Sequence, residues 1–424
     1  MNKSSRDADL TPSVWALDGD PGGCEVSPPA IRPAMVRIRL SPARERTVRE
    51  GHPWLFSDSV DGRIRGEGVS GSLAALYGAR NRMVGIGLYD PDSPIRVRVL
   101  QRGAGARLDL SWFGAALDRA LARREGLATA TTNAYRVIHG ENDGVPGVVV
   151  DRYDQVLVVK LDTLAWRPWL SPLLGALRTR LDPRTIVLRC SDRLSAPPGL
   201  FPSLLGSGIE EPVHFLENGV RFEADLVRGQ KTGFFLEQRD NRQFIRERSD
   251  GQRVLNVFAF SGGFSVYAAL GGAQSVASLD QSPHALEAAD RNWRLNADFH
   301  QAAHEILQGD AFELLEQLGE KGRKFDLVIL DPPSFARRAR DRDGALGAYR
   351  RLNVLGARLV APAGFLFSCS CSAHIDEESF ENTVTKALSP GDFRLIDKRG
   401  HAQDHPVGFP EGRYLKALYY RRFS

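Results

Sequence analysis

Asn256-Val257-Phe258-Ala259-Phe260-Ser261-Gly262-Gly263-Phe264 ends an apolar run, 254–258, with a glycine pair that opens a helical stretch. A strand, a glycine turn and a helix in that order turn backbone N–H groups toward a bound anion or carboxylate. The turn is a weak sign by itself, because Gly262-Gly263 also serves as a plain strand-to-helix connection. The acids that follow sharpen it. Asp280 ends the next strand, 275–279, where a carboxylate accepts hydrogen bonds from two ribose hydroxyls. Ser282-Pro283 then cap a helix. Asp310 ends a third strand, 305–307; it suits an adenine amino group, the N-cap of a helix over 311–318, or both. The glycine triplet that holds a pyrophosphate is missing. The pattern therefore favours S-adenosylmethionine over NAD.

Outward from that turn, strands and helices alternate from residue 213 on, the mark of an α/β fold with a doubly wound parallel sheet. Further strands are expected at 325–330 and 364–368, with 393–396 and 414–420 close enough to pair antiparallel. Asp331-Pro332-Pro333-Ser334-Phe335 leaves the carboxyl end of the fourth strand, where ligands of such sheets bind. The prolines stiffen the turn and remove N–H donors. Asp331 suits the N3/N4 edge of cytosine; the plain alternative is a helix cap in a rigid loop. Phe367-Ser368-Cys369-Ser370-Cys371 ends the next strand. Thiolate attack on C6 of a pyrimidine makes C5 nucleophilic enough to take a methyl group. Alternation puts both cysteines on one side if the strand runs that far. The plain alternative is that they pack as small apolar residues. Cys369-x-Cys371-x-x-His374 lacks a second ligand pair, so no metal is assigned.

The chain has 424 residues, enough for two or three domains. Residues 1–34 are expected to be a disordered tail and 35–107 a small β-barrel of short strands. An α+β middle domain is expected at 108–210 and the parallel sheet within 211–424. Four scattered cysteines make no disulfide scaffold, so a reducing, cytoplasmic setting is expected. Apolar runs of about six to eight residues are too short to span a bilayer. Net charge is +4, but 35–107 alone holds thirteen Arg, no Lys and seven acids. Such a module suits a polyanion, with a solvated charged face as the plain alternative.

From Met35 on, the chain resembles the ribosomal RNA large subunit methyltransferase I family. The resemblance rests on Gly51-His52-Pro53-Trp54-Leu55-Phe56-Ser57, similar to the opening of the family's PUA domain, and on His139-Gly140-Glu141-Asn142-Asp143-Gly144-Val145-Pro146-Gly147. The most specific stretch is Lys231-Thr232-Gly233-Phe234-Phe235-Leu236-Glu237-Gln238-Arg239-Asp240-Asn241-Arg242. Asp404-His405-Pro406 and Pro410-Glu411-Gly412-Arg413-Tyr414-Leu415-Lys416 also match, for structural reasons on this reading. Ser334 departs from the pattern, standing where lysine is frequent. The resemblance implies a C-terminal class I methyltransferase sheet, S-adenosylmethionine as methyl donor, and 5-methylcytosine formation in 23S ribosomal RNA. It makes Cys369 the nucleophile, ahead of Cys371, with Asp331 beside it. The cofactor set so read is Gln238, Arg239, Asn256, Phe258, Gly262, Gly263, Asp280 and Asp310. A homodimer is compatible with this reading. Two other functions fit parts of the sequence: guanine N7 methylation by a sister group without the cysteine, and a non-catalytic PUA-containing ribosome-assembly factor.

Overall fold

The computed structural model of the chain describes residues 13–14, 35–103, 108–191, 194, 201–336, 338–388 and 391–423. Helix α1 (Arg239–Arg246) leads into an alternating run. It consists of β1 (Arg253–Val257), α2 (Gly263–Leu270), β2 (Ser275–Asp280), α3 (Pro283–Arg294), β3 (Ala303–Gln308), α4 (Ala311–Glu320) and β4 (Phe325–Leu330). Next come α5 (Arg342–Leu359), β5 (Val360–Ser370), α6 (Glu377–Ala387), β6 (Phe393–Arg399) and β7 (Lys416–Arg422). The seven strands form one sheet in the order β3-β2-β1-β4-β5-β7-β6. β1 to β5 run parallel, and β7 is antiparallel to both β5 and β6.

Strands covered on both faces are apolar without alternation, and Leu327, Val328, Ile329 and Leu330 of β4 are all fully buried. Val254, Leu327, Ile329 and Phe367 pack with Phe244, Phe264 and Ala268 of α1 and α2. Leu255, Val257, Val328 and Leu366 pack with Leu315, Tyr349, Leu352 and Phe380 of α4, α5 and α6 on the opposite face. The strand order reverses between β1 and β4. That is the switch point where a crevice opens at the carboxyl ends of the strands.

The chain divides into two compact units. One comprises the residues up to Leu127, Ala134–Val213 and Ala224–Phe234; the other comprises Ala128–Asn133, His214–Glu223 and Phe235–Ser424. The first holds two six-stranded sheets. One runs Trp54–Phe56, Ile95–Arg102, Met83–Tyr89, Leu73–Tyr77, Met35–Arg39, Ile64–Arg65 and encloses Val36, Ile38, Leu55, Leu76 and Val97. The other contains Ala134–His139, Val148–Tyr153, Val156–Leu161 and Thr185–Cys190. The two share a core, in which Leu73, Ile86 and Leu88 meet Phe113, Trp166 and Leu173. Gly71 makes the close approach possible. Its φ is +94°, a Cβ there would lie 2.8 Å from the Ala165 carbonyl oxygen, and its own carbonyl accepts from Trp169 Nε1 at 2.9 Å. The tail differs from expectation at one place: Ser13–Val14 is a two-residue strand, parallel to Ser203–Leu204. The rest of the stretch expected to be disordered, and most of the loop over 195–202, lie outside the described residues.

Candidate active site

Asp280 ties the glycine turn to the second strand. Its Oδ2 accepts from the Phe260 N–H and its Oδ1 from the Ser282 N–H, both at 2.9 Å. Each carboxylate oxygen has a second lone pair, so the half-buried group can still receive ribose hydroxyls. Phe258 and Phe260 have positive φ, 61° and 48°, which folds the turn back over the strand ends. Gly262, the N-cap of α2, has φ +78°, and a Cβ there would stand 2.9 Å from the Ala289 Cβ of α3. Gly263 begins α2 directly behind it. Asp310 is the N-cap of α4, its Oδ1 accepting from the Phe312 and Glu313 N–H groups at 2.9 and 3.2 Å. It is exposed at the end of β3. The cradle thus has a narrow glycine turn, an acid at the end of β2 and another at the end of β3. It fits a nucleoside with hydroxyls and an exocyclic amine.

We expect Gly262→Val to destabilise the fold by roughly 2–4 kcal/mol, from left-handed strain plus overpacking. The urea midpoint should fall, and affinity for the methyl donor should fall with it.

Two residues of the expected cofactor set are used otherwise. Asn256 Nδ2 donates to Ser265 Oγ at 2.9 Å, which meets Ser278 Oγ at 2.7 Å, which meets His304 Nε2 at 2.8 Å. His304 stacks on Trp293 with ring centroids 4.0 Å apart, and burial lowers its pKa to about 4. The Asn256 side chain therefore fastens β1 to α2 and β2. Arg239 is 1 % exposed and grips Asp404 with two hydrogen bonds, 3.0 and 2.7 Å, with Glu217 3.7 Å away. Arg242 grips the same Glu217 at 2.8 and 2.6 Å. The Asp404-His405 segment is thus held by a buried ion cluster, which accounts for two of the sequence matches at once. In the first unit, Thr232 donates to Asp151 at 2.5 Å, and Tyr153 accepts from the Phe234 N–H at 3.1 Å.

Gln238 does reach the site. It is 2 % exposed, and its Nε2 donates to Asp331 Oδ1 at 3.0 Å while its Oε1 accepts from Asn241 Nδ2 at 2.6 Å. The amide therefore aims the Asp331 carboxylate. Phe235 packs edge-on against Phe260, centroids 5.0 Å apart, closing the turn from one side. Ser334, at the lysine-frequent position, hydrogen-bonds Ser372 at 3.0 Å. Ser372 also meets the Tyr349 phenol at 3.0 Å. These contacts lock the Asp-Pro-Pro turn to the cysteine segment.

The two cysteines differ sharply. Cys369 is fully buried among Phe244, Phe264, Phe367 and Tyr419. Burial first, then the Asp331 carboxylate, push its thiol well above the ordinary cysteine value, against a smaller opposing contact from Gln238. A protonated, buried thiol is a poor nucleophile, so burial and the raised pKa both weigh against Cys369 and toward Cys371. Cys371, one residue past the end of β5, is partly exposed, with Sγ 3.7 Å from the Pro332 carbonyl oxygen. Sequence reasoning ranked it second and gave Lys416, within the matched Pro410–Lys416 stretch, only a structural role. The side chain of Lys416 is buried beside this segment.

A family model described as S-adenosylmethionine-dependent methyltransferase matches residues 192–421, and one described as a PUA-like domain matches 38–102. A Deinococcus radiodurans protein named ribosomal RNA large subunit methyltransferase is 47% identical over 93% of this chain and 99% of its own length. A ribosomal RNA large subunit methyltransferase I from Aeromonas hydrophila is 36% identical over 91% of this chain and 98% of its own. Among solved structures, a putative SAM-dependent methyltransferase from Streptococcus mutans has a TM-score of 0.79 at 20% identity, covering 91% of this chain and 99% of the other. A putative methyltransferase complexed with SAH has a TM-score of 0.80 at 21% identity, with the same coverage.

Proposed function

Since this chain belongs to the ribosomal RNA large subunit methyltransferase I family, S-adenosylmethionine-dependent enzymes with a PUA-like domain, we propose that it methylates C5 of a cytosine in 23S ribosomal RNA through a cysteine adduct at C6. The observation that carries this reading is the Cys371 thiol, partly exposed on the Pro332 carbonyl of the Asp-Pro-Pro turn. Guanine N7 is already nucleophilic and needs no thiol there.

Bound S-adenosylmethionine supplies the electrophilic methyl group. Asp280 and the Phe258–Gly263 turn hold its nucleoside, with Asp310 at the adenine side. Asp331, aimed by Gln238, accepts from the cytosine N4 amino group and from N3–H once N3 takes a proton from solvent, a proton that N3 gives back when the thiolate leaves. The Cys371 thiolate bonds to C6, and the ring's electron pair moves to C5, which takes the methyl group as the methyl–sulfonium bond breaks and the thioether S-adenosylhomocysteine is left. Loss of the C5 proton to a base restores the double bond and expels the thiolate. The exposed arginines of the PUA-like sheet support a nucleic-acid partner. Arg37 and Arg65 lie directly opposite each other on paired strands, an arrangement of like charges that phosphates relieve.

The test is to incubate the protein with labelled methyl donor and unmodified 23S ribosomal RNA and identify the nucleoside by mass spectrometry. Labelled 5-methylcytidine is expected. Labelled 7-methylguanosine would overturn the C5 reading, and no RNA label would overturn the RNA substrate.

A further inference from the structure

Lys416 opens β7 and pairs with Ser370, the last residue of β5. It is 2 % exposed, and its Nζ donates to the Ser372 and Ile375 carbonyls, each at 2.6 Å. Both carbonyls belong to the turn that carries Cys371 from β5 toward α6. The lysine therefore grips the nucleophile's own loop just beyond the thiol. Carbonyl oxygens solvate an ammonium without neutralising it, and a buried cation without a compensating anion is unfavourable. Burial lowers the Lys416 pKa to about 8; Cys371 leads the groups opposing that shift, ahead of Asp376 and Glu377.

Those two carboxylates have cations of their own. Asp376 lies 3.4 Å from Arg342, and Glu377 lies 3.7 Å from Arg413. Asp376 also spends its oxygens capping α6, accepting from the Ser379 N–H at 2.7 Å and its hydroxyl at 2.8 Å. The Tyr349 phenol, which feels both Cys371 and Asp331, is raised by burial to about 12 and stays neutral. The Asp331 carboxylate opposes ionisation of a neighbouring thiol, so a thiolate there needs a cation close by.

We propose that Lys416 is a positioning residue for methyl transfer, its buried ammonium holding the Cys371 loop in place and Cys371 itself in the ionised form. This rests on Cys371 being the nucleophile. A group that only pinned the loop would be replaceable by a neutral donor; a group that supplies charge would not.

The experiment measures iodoacetamide alkylation of Cys371 in the full-length chain as a function of pH, located by peptide mass spectrometry. In the wild type, half-maximal reactivity is expected below the ordinary cysteine value of about 8.5. Lys416→Gln keeps N–H donors for the two carbonyls but removes the charge. It should slow alkylation near neutral pH about tenfold and move the profile up by about one pH unit. Lys416→Arg should restore most of the rate. An unchanged profile in Lys416→Gln, or a wild-type midpoint at or above about 8.5, would overturn the proposal. The wild-type midpoint decides alone if Lys416→Gln does not fold. The two ideas fail separately. A Cys371→Ala enzyme that still methylates RNA removes the nucleophile reading whatever the alkylation shows. A dead Cys371→Ala enzyme with an unshifted Lys416→Gln profile removes only the lysine.

Discussion

Cys371→Ala is expected to lower methyl transfer to ribosomal RNA by at least about a thousandfold, the usual scale for loss of a covalent nucleophile. Affinity for S-adenosylmethionine should be nearly unchanged, because the substitution leaves Asp280 and the glycine turn, the holders proposed for that ligand, untouched. Cys369→Ala should keep turning over. Cys369 is fully buried in the core cluster that holds Phe244, Phe264, Phe367 and Tyr419, so removing its sulfur should cost stability more than chemistry. RNA carrying 5-fluorocytidine separates the two cysteines directly. Fluorine at C5 cannot leave as a proton does, so the enzyme stays bonded to C6. A denaturation-resistant protein–RNA band is expected in wild type and Cys369→Ala and not in Cys371→Ala. The reverse pattern would return the nucleophile to Cys369.

That pair of cysteines shows where sequence reasoning stops. Alternation along a strand places residues 369 and 371 on one side, but β5 ends at Ser370. One thiol stays in the packed layer and the other emerges at the crevice. The aromatic residues clustered with Cys369 come from α1, α2, β5 and β7, and apart from Phe367 no local pattern announces them. The acids at the strand ends were legible because each needs only its own strand: Asp280 and Asp310 lie where the ends of β2 and β3 put them, and Asp331 follows β4. Arg239 was not legible. Its bidentate partner, Asp404, is 165 positions away, so a motif that borders the cofactor turn was read as touching the cofactor. The side-chain partners of Asn256 were hidden for the same reason, since its chain through Ser265, Ser278 and His304 spans three elements. Lys416 did carry a signal, as a lone cation at the head of the apolar strand Ala417-Leu418-Tyr419-Tyr420. A buried lysine asks for a partner, and only the fold names it.

Asp404→Asn carries the largest expected loss of stability, about 3–5 kcal/mol, because it leaves a buried guanidinium without its carboxylate. The cluster balances Glu217 and Asp404 against Arg239 and Arg242, with all four side chains 3 % exposed or less. Burial alone would protonate Asp404, but His405 and Arg239 beside it hold its carboxyl well below the usual range. A carboxylate with a depressed folded pKa contributes stability that is present above its unfolded value, about 4, and is lost as pH falls through the folded value. The wild-type cluster should therefore survive mild acid, while the Asn variant lacks that term at neutral pH, as a urea midpoint at about pH 7 would read. Removing both charges separates stability from function. Arg239→Met with Asp404→Leu should recover most of the lost stability, since apolar replacement of a buried pair is often neutral or better. Gln238, which aims Asp331, immediately precedes Arg239 as the N-cap of the helix that the ion pair anchors. The double variant should therefore fold and still methylate slowly. Full activity in it would show that Gln238 needs no such anchor, and that the ion pair serves only to hold Asp404 and His405 in place.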